Sequence, residues 1–180
     1  MPPRLLEQYE SEIAPALAGE FDLGNRLAVP RLEKIVVSMG LGRFNREENQ
    51  IDVAAEELAR ITGQRPVATR SRKSISNFKL RTGMKVGLKV TLRAHRMYEF
   101  LDRLVGIAIP RMKDFRGLPL SGFDGRGNYN LGLAEQTVFP EIDASKVQFT
   151  QGMNVAIITT AKTDEQARRL LTLLGMPFRS

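Results

Sequence analysis

The chain of 180 residues contains no cysteine and a single histidine. Without cysteine there is no disulfide, no thiolate metal site and no thiol nucleophile. One histidine excludes a His-based metal cluster, and any acid–base role for His95 has to stand alone. His95 has neither a serine nucleophile nor an orienting carboxylate beside it in sequence, so it is read as a surface or RNA-contacting residue. No run approaches the ~20 apolar residues of a membrane span. The opening Met1-Pro2-Pro3-Arg4-Leu5 lacks the apolar core of a signal peptide, which makes the cytoplasm the expected compartment. Gly40-Leu41-Gly42 and Gly125-Arg126-Gly127 both fail the GxGxxG pattern, and no GxxxxGK[ST] occurs. The pair Glu56-Glu57 is assigned to the outer, solvated face of a helix. No active site and no cofactor are expected.

What is present begins with charge. Lys and Arg number 27 against 20 Asp and Glu, a net +7 with a pI near 10.0, which points to a polyanionic partner, nucleic acid before membrane surface. The excess is localised. Residues 1–64 hold 7 basic and 11 acidic side chains, and residues 97–180 hold 10 and 9. Residues 65–96 hold ten cations (Arg65, Arg70, Arg72, Lys73, Lys79, Arg81, Lys85, Lys89, Arg93, Arg96) and no acid. A charge run is ordinarily a solvated face. Ten cations without a carboxylate repel one another, and bound anions relieve that repulsion.

Length and a 42% apolar content suit one globular domain over residues 1–180. Leu5, Leu6, Tyr9, Ile13 and Leu17 predict a helix over 4–17, kinked or interrupted at Pro15. Residues 35–39 read as a strand running into a glycine loop. Asn45 with Glu48 predicts a capping box for a helix whose face is Ile51, Ala54, Ala55, Leu58 and Ile61 and whose end is Gly63. Residues 86–93 alternate most cleanly: Val86, Leu88, Val90 and Leu92 one way, Gly87, Lys89, Thr91 and Arg93 the other. A helix follows with Met97, Phe100, Leu101, Leu104, Val105 and Ala108 inward and Pro110 as its stop. Residues 111–134 read as a long loop with at most a short strand near 129–131. Val155–Thr160 reads as a central strand, and Thr163 with Gln166 caps a last helix that ends at Gly175 and Pro177. This order predicts an α+β fold: a mostly antiparallel sheet, helices packed on one face, and a long basic loop between two strands.

Two features suggest function. The polar face of Lys89, Thr91 and Arg93, joined by Ser38, offers short hydroxyls and long cations. That combination suits the shallow minor groove of RNA, where 2′-OH and phosphate contacts dominate. The second feature is the arm 70–83, with Arg72, Lys73, Lys79 and Arg81. It joins two strands like a hairpin tip and is predicted to be too polar and irregular to fold on itself, hence mobile. The loop 111–128 mixes Arg111, Lys113, Arg116 and Arg126 with Asp114 and Asp124, a pattern suited to a protein contact. A ribosomal structural protein, a free-standing RNA-binding regulator and an RNA-acting enzyme all remain as readings of the residues, the last lacking any visible acid–base constellation.

Several runs carry a resemblance: Pro30-Arg31-Leu32-Glu33-Lys34-Ile35, Ile61-Thr62-Gly63-Gln64-Arg65-Pro66, Arg72-Lys73-Ser74, Lys89-Val90-Thr91-Leu92-Arg93, Asp114-Phe115-Arg116-Gly117-Leu118, Phe123-Asp124-Gly125-Arg126-Gly127-Asn128-Tyr129 and Phe139-Pro140-Glu141-Ile142. In collinear order over essentially the whole chain, they resemble the bacterial large-subunit ribosomal protein family numbered five. That resemblance implies a structural protein of the central protuberance that binds 5S rRNA, beside other 5S-binding proteins and 23S rRNA. It further implies that the arm contacts P-site tRNA and that the 111–128 loop bridges to the small-subunit head, at the ribosomal protein numbered thirteen. By the same similarity the RNA-recognition positions are Ser38, Gln64 and Thr91. The family usually has Asn where this chain has Ser38, which keeps a hydroxyl but lacks the amide's reach and second donor.

Overall fold

The structure, a computed structural model, describes residues 1–42, 48–145, 147 and 149–179, without the side chains of 48 and 49. Its strands are β1 (Leu32–Gly40), β2 (Val67–Arg70), β3 (Lys85–Leu92), β4 (Tyr129–Leu133) and β5 (Met153–Thr159). They form one sheet in the order β2-β3-β1-β5-β4, every neighbouring pair antiparallel. Helices α1 (Arg4–Gln8), α2 (Ala14–Glu20), α3 (Glu48–Thr62), α4 (Ala94–Arg103) and α5 (Asp164–Leu173) complete an α+β fold. Alternation sets the layering. Ile35, Val37 and Met39 of β1, Leu88, Val90 and Leu92 of β3, Leu131 and Leu133 of β4, and Val155 and Ile157 of β5 are buried with the apolar stripes of the helices in one core. In β1 a register shift between Leu32 and Lys34 lets Leu32 and Ile35, three residues apart, both reach that core.

The two prolines do not stop their helices. A π turn, Tyr9–Ile13, ends two residues before Pro15, and another, Leu104–Ala108, ends two residues before Pro110. A proline removes the bond to the carbonyl four residues back, and its ring collides with that carbonyl. Here the Ala14 N–H bonds Tyr9 O and the Ile109 N–H bonds Leu104 O, so the widened turn carries the helix past the obstruction. The first helical run therefore continues to Glu20, and α4 continues as a 3-10 turn, Ile109–Arg111.

Other expectations hold or shift by small amounts. Gly63, at φ +68°, ends α3 with its N–H on Ala59 O. The predicted cap of that helix, Asn45 with Glu48, lies outside the described residues. The Thr163 hydroxyl accepts the Gln166 N–H, but Gln166 Oε1 takes the N–H of Lys162 rather than that of Thr163. β5 is an interior strand, flanked by β1 and β4, yet Asn154 on its outer face is exposed; only one of its faces is covered. Glu57 requires a correction. It is not on the outer face of its helix but is 8% exposed, and it accepts a hydrogen bond from Gln136 Nε2 at 3.3 Å. Three residues after Ala54 and four before Ile61, it borders the apolar stripe of α3 and faces a segment whose own polar groups hold it inside.

The arm also differs from its prediction. Ile75 and Leu80 exchange both backbone hydrogen bonds, at 3.0 and 3.1 Å, around a 3-10 turn, Ser76–Phe78. Below them the Ser74 and Thr82 hydroxyls lie 3.1 Å apart, the Ser71 N–H bonds Met84 O, and the Gly83 N–H bonds Ser71 O. The stretch is too polar to build a core but not to build a hairpin: backbone bonds close it, and the Ser74 and Thr82 side chains add to them.

Candidate nucleic-acid interface

The outer face of the sheet has no described helix across it, and its side chains are set in rows by strand register. Ser38 stands opposite Lys89 on one side and Asn154 on the other; Val36 stands opposite Thr91 and Ala156. Ser38 is thus a diagonal neighbour of Thr91, at roughly 7–8 Å by sheet geometry. Lys89 is exposed, while Ser38 and Thr91 are half-buried. Gln64 joins this group from a different element. The left-handed turn at Gly63 brings it back over β3, where Gln64 Nε2 donates to the Thr91 carbonyl at 3.4 Å. That bond goes to the carbonyl, and the Thr91 hydroxyl has no protein partner among the described residues. Arg93 follows at the strand end, its guanidinium 3.9 Å from Glu33.

The sequence reading missed two members of this face. Asn154 lies in register with Ser38 and Gly132, and Asn130 with Ala156; both are exposed. Alternation through Met153, Val155 and Ile157 already places Asn154 outward. Asn130 lies in a strand weakened by Gly132, where the pattern is too short to read.

Charge is concentrated around β2, β3 and the arm. Of the ten cations in 65–96, Lys85 pairs with Asp52 and Arg93 with Glu33, both at 3.9 Å. The other eight have no ion-pair partner among the described residues. Arg72, Lys73, Lys79 and Arg81 are all exposed on the hairpin. Ser74, Ser76, Lys79, Leu80, Arg81 and Met84 line an open cleft along it.

Residues 111–128 are irregular but internally bonded. The Asp124 carboxylate accepts from Asn128 Nδ2 and from the N–H groups of Arg126 and Asn128, chiefly the first of which holds its pKa below the usual range. Asp164, at the start of α5, accepts the N–H groups of Gly125 and Gly127 at 3.0 and 2.8 Å. Glycine is required at 127: its φ is +81°, and a Cβ there would lie 2.6 Å from Ala161 O. Arg111, Lys113, Arg116 and Arg126 all point to solvent from this frame. Lys113 pairs with Glu135 at 3.1 Å and, with Thr137, lowers that carboxyl's pKa.

An uncovered antiparallel sheet carrying hydroxyls, amides and unpaired cations, with a basic hairpin beside it, defines a nucleic-acid-binding protein of the α+β class. Comparison with known proteins narrows the class. Residues 25–81 match the family model described as "Ribosomal protein L5", and residues 85–178 match that of the "ribosomal L5P family C-terminus". The chain is 58% identical over 175 residues to "Large ribosomal subunit protein uL5" of Thermotoga maritima, covering 97% of this chain and 95% of the relative. It is 56% identical over 176 residues to the protein of the same name from Rubrobacter xylanophilus, covering 98% of each. The chain belongs to the ribosomal protein L5 family. With that membership it is a structural, non-enzymatic protein of the ribosome, and the enzyme reading is discarded.

Proposed function

We propose that the uncovered sheet face binds 5S rRNA and so attaches it within the central protuberance of the large subunit, against 23S rRNA and the neighbouring 5S-binding proteins. The observation that carries this reading is the convergence of Ser38, Gln64, Lys89 and Thr91, drawn from three separate elements, on one helix-free patch. Arg93 extends it. Hydroxyl and amide groups address 2′-OH groups and base edges, and the cations address phosphate. If four to six phosphates are engaged, log K for 5S rRNA should fall against log salt with a slope of about −3 to −5. Thr91→Val keeps shape and removes the hydroxyl, and should weaken 5S rRNA binding by about 1–3 kcal/mol with the fold intact. Filter binding against salt measures both; wild-type affinity in that variant removes the assignment.

The same proposal gives the arm, through Arg72, Lys73, Lys79 and Arg81, to P-site tRNA. The 111–128 loop goes to a bridge with the small-subunit head, at the ribosomal protein numbered thirteen. Exposed cations on a bonded frame support the bridge. Because Asp124 bonds the loop to itself and the Gly125 and Gly127 N–H groups hold it to Asp164 of α5, charge changes test it better than deletion. Reversing Arg116 and Arg126 together to Glu should weaken subunit association by about tenfold, with a stronger salt dependence, and leave 5S rRNA bound. Light scattering of subunit mixtures reads the association, and loss of 5S rRNA instead would reassign the loop.

A further inference from the structure

The arm's tip displays an aromatic ring that its charge does not explain. Phe78 is 69% exposed and Ile75 41% exposed, on a hairpin rich in cations and hydroxyl residues. A single exposed ring is not by itself a site; what sets this one apart is where the hairpin places it.

The tip is also stiffened. The two Ile75–Leu80 bonds close it, the Lys79 N–H bonds Ser76 O at 2.9 Å, and Lys79 adopts the left-handed conformation, φ +53°, that turns the chain back. Phe78 is therefore presented by a short closed loop and needs little ordering on contact. The residue after it, Lys79, lines a cleft with Arg81, the hydroxyls of Ser74 and Ser76, and Leu80 and Met84. An aromatic plane next to a cationic cleft is the combination that takes a nucleotide: the ring faces the base and the cations hold its phosphate. No carboxylate occurs anywhere in 65–96 to oppose such a ligand.

We propose that Phe78 stacks on a nucleobase of the RNA that the arm touches, either an unpaired base or the open face of a terminal pair, while Lys79 and Arg81, with the Ser74 and Ser76 hydroxyls, hold the adjoining phosphate. This rests on the reading of the arm as a tRNA contact and adds a base-plane interaction to it. Every base has a π-face, so the contact is indifferent to sequence. Stacking releases no counterions, so it persists at salt concentrations that weaken the phosphate contacts.

The test uses ribosomes assembled with variant protein, each checked for 5S rRNA content, with P-site tRNA dissociation followed at several salt concentrations. Phe78→Ala should weaken tRNA by about 5- to 150-fold, with the salt slope unchanged. Phe78→Trp should hold tRNA as well as wild type. Phe78→Leu, apolar but without a π-face, should fall with the alanine variant. Wild-type retention by Phe78→Ala or by Phe78→Leu overturns the stacking assignment. If Phe78→Ala is silent while removal of the arm's cations releases tRNA, the stacking fails and the tRNA contact survives; if both are silent, the tRNA contact itself fails.

Discussion

Replacing Arg72, Lys73, Lys79 and Arg81 together with alanine is expected to loosen P-site tRNA while leaving 5S rRNA bound. Each phosphate contact contributes about 0.9 to the salt slope. Removing four should flatten the dependence by roughly 3 to 4 and weaken the arm's contact on the order of a thousandfold near 0.1 M salt. The loss should be the same for every tRNA species, because phosphate contacts fix position and carry no sequence. None of the four side chains is buried, and none has an ion-pair partner among the described residues, so the fold should be unaffected. Equilibrium binding of several tRNAs to variant ribosomes at graded salt measures the effect. A variant that fails to bind 5S rRNA yet holds tRNA normally would move the arm to the 5S site.

The hairpin's internal bonds strengthen this expectation. A disordered arm would have to order itself on binding, at about 1–2 kcal/mol for each residue fixed. Bonds between Ile75 and Leu80, Ser74 and Thr82, and Ser71 and Met84 have already met part of that cost. With the body anchored through the sheet face as proposed, the second contact forms at high effective concentration.

Much of this architecture was legible in the residues, and where it was not the reason is local. Strand β3 could be read because four apolar and four small or polar residues alternate without interruption, and the same alternation exposed Lys89 and Thr91. The end of α3 could be read because Gly63 is a glycine where a left-handed residue is needed. β4 was underestimated because Asn130 and Gly132 are poor strand formers, and the strand exists through its pairing with β5. The hairpin in the arm is not legible in the sequence because backbone bonds and the Ser74–Thr82 pair close it, and neither leaves a hydrophobic period. Gln64 was placed in the site by family resemblance alone; spacing in sequence has no means of showing that a turn returns it to Thr91, 27 residues away. Glu57 was put on the wrong face of α3 because its partners, Gln136 and beyond it Gln151, lie in an aperiodic segment.

Those partners set a large stability effect. Gln136 is 0% exposed, and its side chain uses both ends. Nε2 donates to Phe149 O at 2.7 Å and to Glu57 Oε2 at 3.3 Å, while Oε1 accepts the Gln151 N–H at 2.6 Å. Gln151 in turn donates to the carbonyls of Gly40 and Gly152, both at 3.0 Å. Gln136 and Gln151 together thus tie α3, the end of β1 and the entry to β5, two neighbouring strands of the sheet. Gln136→Ala leaves the Gln151 N–H and the Glu57 carboxylate short of a partner inside the protein and opens a cavity. We expect it to lower the unfolding free energy by about 3–4 kcal/mol. Burial raises the Glu57 pKa, opposed by the Gln136 bond and by Arg60. With its folded pKa above its unfolded one, Glu57 favours the folded state most at low pH, and that contribution is lost as pH rises through the raised value. Gln136→Ala, by removing a lowering influence, should deepen this loss and extend it to higher pH. Glu57→Gln keeps an acceptor for Gln136, and should abolish that part of the pH dependence and exceed wild-type stability at neutral pH. Urea unfolding of the purified protein from about pH 4 to 8 tests all three, across the range where a raised carboxyl titrates. Should Gln136→Ala unfold within about 1 kcal/mol of wild type, or Glu57→Gln keep the wild-type pH profile, the network does not hold the sheet in the way its geometry indicates.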